Sequence, residues 1–169
     1  GYRILHLVQG YQKSIIETQT AVSEKELIFE KYGKVFENAP VGIQVWSNEI
    51  IPLLVDCNEH FAYKLGYASK AAIIGKSIDQ ISDPSQKKDD LIDLWVHHLS
   101  TVKLSDNPPF EWVFETKHGQ VQTSEVILSE INLFGELQPL VITRDIQAEI
   151  ESKKEAAFLN ETYNTLVNQ

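Results

Sequence analysis

Apolar residues recur on a seven-residue frame across residues 4–36. Val8, Ile15, Val22, Phe29 and Phe36 fill one seam position, and Ile4, Tyr11, Thr18, Lys25 and Tyr32 fill the other. All of the first set and three of the second are apolar, with no proline and only Gly10 and Gly33 as weak points. A frame kept over so many heptads predicts a coiled-coil helix that self-associates. Few helices of this length bury one stripe alone, although a single amphipathic helix folded back on a domain is the plainer alternative. Pro40 ends the helix, because its ring clashes with the preceding turn and biases Ala39 to extended geometry.

Beyond Pro40 the period shortens. Residues 41–46 alternate as a strand does, and 51–56 form a second, apolar strand in which Pro52 suits the first turn or an edge. The polar link Ser47-Asn48-Glu49 predicts a hairpin. Asn58 caps a short helix carrying Phe61 and Leu65 and stopped by Gly66, and Ser69 caps another brief turn stopped by Gly75. Residues 85–102 read as a longer amphipathic helix with Leu91, Ile92, Trp95, Leu99 and Val102 on one stripe, and 105–109 as a loop. Along 110–117, Phe110, Trp112 and Phe114 share one face while Glu111, Glu115 and Lys117 share the other. His118-Gly119 turns the chain into a strand over 121–131, residues 132–136 turn it again, and 137–143 form the fifth strand. Three successive strands with short turns must be antiparallel. From Asp145 onward the chain is helical and charged, with a weaker stripe of Ala156, Leu159, Tyr163 and Leu166. This order predicts an α+β fold with helices crossing one face of an antiparallel sheet.

Composition narrows the function. The 169 residues suit one domain with extensions or at most two small domains, and their formal charge of −9 comes without any Lys/Arg cluster. Nucleic-acid binding needs a basic face and is disfavoured. No apolar run is long enough to span a membrane, and no stretch has a signal-peptide pattern. The lone Cys57 excludes an internal disulfide and a thiolate metal cluster, and a cytoplasmic setting fits it best. The chain contains no Met, and its ends fall inside helical patterns, so a fragment of a larger protein is expected. Asp83, Asp89, Asp90 and Asp93 read as a solvated helix start, and no phosphate loop, nucleophile elbow or metal-ligand spacing is present, so no catalytic or metal residue is assigned.

Phe36-Glu37-Asn38-Ala39-Pro40-Val41-Gly42-Ile43, Asn58-Glu59-His60-Phe61, Leu65-Gly66-Tyr67, Ile74-Gly75-Lys76, Lys117-His118-Gly119 and Thr143-Arg144-Asp145-Ile146 together resemble a PAS domain over about residues 34–148. The resemblance implies a five-stranded antiparallel sheet with short helices closing a small-molecule pocket, flanked by long N- and C-terminal helices. It implies a helix at 1–36, a PAS domain at 37–146 and a linker helix at 147–169 leading to an output domain in cis, commonly a histidine kinase or a cyclic-dinucleotide enzyme. In the family's register Gln44 and Trp46 face the pocket, with Phe61, His98, Trp112, Phe114, Ser124 and Val126 as further lining. Ile43 and Val45 then face outward and need a cover, for which the N-terminal helix is the natural one; with Val8, Ile15, Val22 and Phe29 they are the dimerisation candidates. Arg144 and Asp145 form the signal hinge.

The chain also departs from the family. Ser47-Asn48-Glu49-Ile50 replaces the usual Asp-x-x-Gly turn after the first strand. The flavin-photoreceptor motif after Gly75 is replaced by Lys76-Ser77-Ile78-Asp79, so light-driven adduct chemistry is not expected. His98 is the candidate haem ligand, and Trp95 after Leu94 resembles flavin-binding relatives, but Phe114 and Glu115 stand where those carry an Asn and basic residues. The expected function is a dimeric sensory module, free of nucleic-acid and membrane contacts in this stretch, that senses a small molecule or relays a conformational change. The alternatives are a constitutive scaffold without ligand and a haem or flavin sensor.

Overall fold

The computed structural model describes residues 1–86, 93 and 103–169. Helix α1 (Tyr2–Asn38) runs unbroken through Gly10 and Gly33 and buries none of its residues. It belongs to a unit of its own, Gly1–Asn38, distinct from Ala39–Gln169.

The second unit is built on strands β1 (Gly42–Trp46), β2 (Leu54–Cys57), β3 (Phe110–Glu115), β4 (Val121–Leu133) and β5 (Glu136–Asp145), with helices α2 (Glu59–Lys64) and α3 (Gln147–Val167). The strands form one sheet in the order β2-β1-β5-β4-β3, every pairing antiparallel. The first strand therefore lies beside the last, with Gly42 opposite Thr143 and Val45 opposite Leu140. Side-chain alternation sends Trp46, Trp112, Phe114, Val126, Leu128 and Val141 to one face. There they meet Phe61, Ala62 and Leu65 of α2 with Ile73, Ile78, Ile81 and Leu104 in a single buried cluster. Each large side chain in it contributes about 1.5–3 kcal/mol by leaving water.

Asn58 fixes how α2 meets the sheet. Its Oδ1 accepts from the Phe61 amide (3.2 Å) and from the Ile43 amide (3.0 Å), and its Nδ2 donates to the Val41 carbonyl (2.9 Å). The expected N-cap is therefore also the bolt between α2 and β1. Gly42 makes that approach possible, because a Cβ there would collide with Thr143 Oγ1 and stand 3.0 Å from Phe61 Cδ2.

Several local expectations are corrected. Strand β2 begins at Leu54 rather than Ile51, because Ser47 and Leu53 close the preceding loop through Ser47 N to Leu53 O (2.9 Å) and Leu53 N to Ser47 Oγ (2.9 Å). Ser69 occupies an N-cap position without a side-chain bond to its 3-10 turn. The Ser77/Gln80 capping box over the 3-10 turn Ile78–Ile81, by contrast, was not anticipated. Within the expected loop, Leu104–Asp106 forms a 3-10 turn. The β4–β5 turn is only Phe134-Gly135, since Leu133 already pairs with Glu136. Ser85 and Gln86 lie in a turn rather than in a helix. There the Gln86 amide brackets Val113, accepting from its N–H (2.8 Å) and donating to its carbonyl. The rest of the expected long helix, with Leu91, Ile92, Leu94, Trp95, His97, His98, Leu99 and Val102, lies outside the described residues.

Candidate functional site

Between the sheet and the short turns lies an apolar cavity lined by Gln44, Trp46, Pro52, Ile78, Phe110, Trp112, Phe114, Val126, Leu128 and Val141. The space open to the centre of a water-sized sphere is about 20 Å³, the room of a water or a few atoms. A haem or flavin does not fit there without displacing the surrounding side chains, since sites for molecules of that size run to about 300–1,000 Å³.

Gln44 is the polar group in this wall and is fully buried. Its Nε2 donates to Thr143 Oγ1 at 2.8 Å, and its Oε1 accepts from Trp46 Nε1 at 3.2 Å. One amide proton and one lone pair remain for a guest. Across the cavity, Trp112 Nε1 donates to Ser82 Oγ at 2.8 Å, and that hydroxyl donates to the Ile78 carbonyl at 2.6 Å. Both indoles are thus held in fixed orientations.

Among the pocket residues expected from sequence, Gln44, Trp46, Trp112, Phe114 and Val126 converge on the cavity. Phe61 and Ser124 do not. Phe61 packs edge-on against Phe114 with ring centroids 5.6 Å apart, and with Ser124 it lines a neighbouring cleft. Residue His98 lies outside the described residues. Leu128 and Val141 were legible from the alternation of their strands, whereas Pro52 and Ile78 reach the cavity through loop geometry that no sequence period encodes.

The neighbouring cleft leads to the hinge. Its lining includes His60 and Lys64 from α2, Ser124 from β4, and Thr143 and Asp145 from β5. Asp145 Oδ1 accepts from the Gln147 amide at 2.9 Å, at the first residue of α3, while Oδ2 lies 3.7 Å from Lys64 Nζ. The same joint is tied to β4, because the Ile146 amide donates to Thr123 O and the Thr123 amide to Gln147 Oε1, each at 3.0 Å. Arg144 points to the exposed side, pairing with Glu149 and, at 3.6 Å, with Glu125. The Glu149 hydrogen bond and charge hold its guanidinium even more firmly protonated than usual. Burial, then the nearby Lys64 charge, push the His60 ring below its ordinary pKa, with Asp145 opposing.

On the outer face of the sheet Ile43 pairs with Ile142 and Val45 with Leu140, and Ile127 continues the first row. Val45 is buried, yet it stands outside the inner cluster. In α1 the seam residues Val8, Ile15, Val22 and Phe29 are all exposed, as are Leu159, Tyr163 and Leu166 of α3. Cys57 is fully buried. Among the described residues no three His, Cys, Asp or Glu side chains gather as metal ligands, and no helix is long and apolar enough to cross a membrane.

No family model and no curated protein matches the chain. Solved structures do. The PAS domain of an HTR-like protein from Haloarcula marismortui is 26% identical, covers 76% of this chain and 99% of its own, and superposes with a TM-score of 0.63. A PAS domain from Colwellia psychrerythraea is 20% identical over 72% of this chain and 98% of its own, with a TM-score of 0.58. A PAS domain from a two-component sensor histidine kinase is 15% identical over 72% and 98%, with a TM-score of 0.54.

The sheet order, the helix-closed inner face and these likenesses define an α+β module built on one five-stranded antiparallel sheet. The chain has the fold of a PAS domain.

Proposed function

We propose that this chain is a non-catalytic PAS sensory module, dimeric and cytoplasmic, that passes the state of its inner cavity to an output domain following α3. The boundaries would be residues 1–36 for the input helix, 37–146 for the sensor and 147–169 for the output linker. The observation that carries this reading is the path from cavity to hinge. Gln44 lines the cavity and binds Thr143, and Thr143 stands two residues before the carboxylate that accepts from the first amide of α3. A guest bonding to Gln44 would pull on β5 and so change the packing of α3. The kinase parentage of one neighbour favours a histidine kinase as output, with a cyclic-dinucleotide enzyme as the other candidate. Dimerisation would use the seam Val8, Ile15, Val22 and Phe29 and the outer sheet residues Ile43 and Val45. The α1 seam residues are apolar positions that the lone chain leaves exposed, whereas Val45 is already buried within it.

The small size of the cavity favours a second reading, a constitutive dimerisation domain with a filled core and no ligand. Native mass spectrometry of the protein as purified separates the two. A dimer carrying an added small mass supports sensing, and a dimer of bare chains supports scaffolding. A monomer at micromolar concentration, unchanged by deleting residues 1–34, overturns the coiled-coil assignment. A colourless sample removes haem and flavin from consideration.

A further inference from the structure

In the cleft beside α2 one buried hydroxyl is left unused by the fold. Ser124 is 2% exposed and its side chain has no hydrogen-bond partner among the described residues, yet it opens onto the cleft. Thr143 Oγ1 lines the same space and accepts from Gln44, which leaves its own proton without an acceptor among the described residues. Asp145, the cross-strand partner of Ser124, also borders the cleft, with Gln122, His60 and Lys64 completing a polar rim. The room left for the centre of a water-sized sphere is about 10 Å³, the space of one water. An enclosed water needs roughly two to four polar partners, and this cleft supplies them. The Ser124 hydroxyl is reached from the cleft and has no protein partner there among the described residues, so a water held in the cleft would complete its hydrogen bonding.

We propose that the cleft binds one ordered water, held by Ser124 Oγ and Thr143 Oγ1, which links the buried Gln44–Thr143 pair to the Asp145 carboxylate at the start of α3. The water accepts the Thr143 proton, exchanges a hydrogen bond with Ser124 and donates to Asp145, whose oxygens keep free lone pairs beside Gln147 N and Lys64. The polar chain then runs unbroken from Trp46 through Gln44 and Thr143 to Asp145 and the first amide of α3. Occupancy of the site rests on geometry alone, whereas its part in signalling rests on the sensory reading above.

High-resolution crystal structures of the unliganded wild-type chain and of Ser124→Ala, together with hydrogen exchange at the Gln147 and Ile150 amides, test this. Wild type shows one water within hydrogen-bond distance of both hydroxyls. Ser124→Ala loses it, and the two amides exchange roughly fivefold faster, the worth of about one hydrogen bond. Thr143→Ser keeps the hydroxyl and retains the water, so the site is still judged if the alanine variant folds poorly. A dry wild-type cleft overturns the site. A water whose loss leaves both amides unchanged overturns its link to α3. Since no ligand is added, either failure leaves the sensory reading standing.

Discussion

Gln44 and Thr143 stand 99 positions apart in the chain and are joined by a buried 2.8 Å hydrogen bond. The bond crosses between β1 and β5, which lie side by side at the centre of the sheet. It links the wall of the cavity to the strand that feeds α3. Replacing Gln44 with Leu leaves the Trp46 indole N–H without its acceptor, a loss of about 1–3 kcal/mol. Urea unfolding of Gln44→Leu measures that loss, and a midpoint equal to wild type would show that the buried amide is dispensable.

Gly42 is the position where β1, β5 and α2 crowd most closely. Gly42→Ala sets a methyl against Thr143 Oγ1 and Phe61, an overpacking worth about 1–3 kcal/mol. Thermal unfolding reads the drop. Paired with Gln44→Leu in a double-mutant cycle, the double variant loses less than the sum of the two single losses, because both act on Thr143.

Asn58→Ala removes a bolt as well as a cap. The Phe61 and Ile43 amides and the Val41 carbonyl all lose their partner in a site with no exposure. The expected cost is about 3 kcal/mol, above the usual loss for an N-cap alone. Calorimetry distinguishes the two, since a deficit near 1 kcal/mol would reduce Asn58 to an ordinary cap.

Phe134 holds a left-handed backbone (φ 54°) while its side chain is fully exposed. Asn tolerates that conformation far better in a two-residue hairpin turn. Phe134→Asn therefore gains about 1 kcal/mol with no packing lost. A lower melting temperature, measured in dilute protein, contradicts this.

His60 gives the joint a pH dependence. Its folded pKa is lowered, first by burial and then by Lys64, so the unfolded chain takes up the proton more readily. Stability from this group is present at neutral pH and declines as pH falls below the ordinary value of about 6.5, until the folded ring titrates too. His60→Gln removes that part of the slope. Urea midpoints across this pH range check it, and parallel curves for the two proteins would refute it.

Much of this architecture was legible in the chain itself. Heptads set α1, alternation placed Trp112 and Phe114 inward, and Asn58 announced α2, because these features depend on residues close in sequence. The corrections fall where distant groups intervene. The Gln86 amide brackets Val113 from 27 positions away, and β2 starts late because Ser47 and Leu53 close a loop.

The division follows the range of the forces. The sequence alone determined the periods and the inward or outward sense of the strands, since backbone sterics and local burial act within a few residues. Only the tertiary structure decided that β1 inserts beside β5, that Phe61 and Ser124 face a separate cleft, and that the cavity is the size of a water. Those outcomes depend on how side chains far apart in the chain fill a common volume, and close packing of that kind has no linear signature.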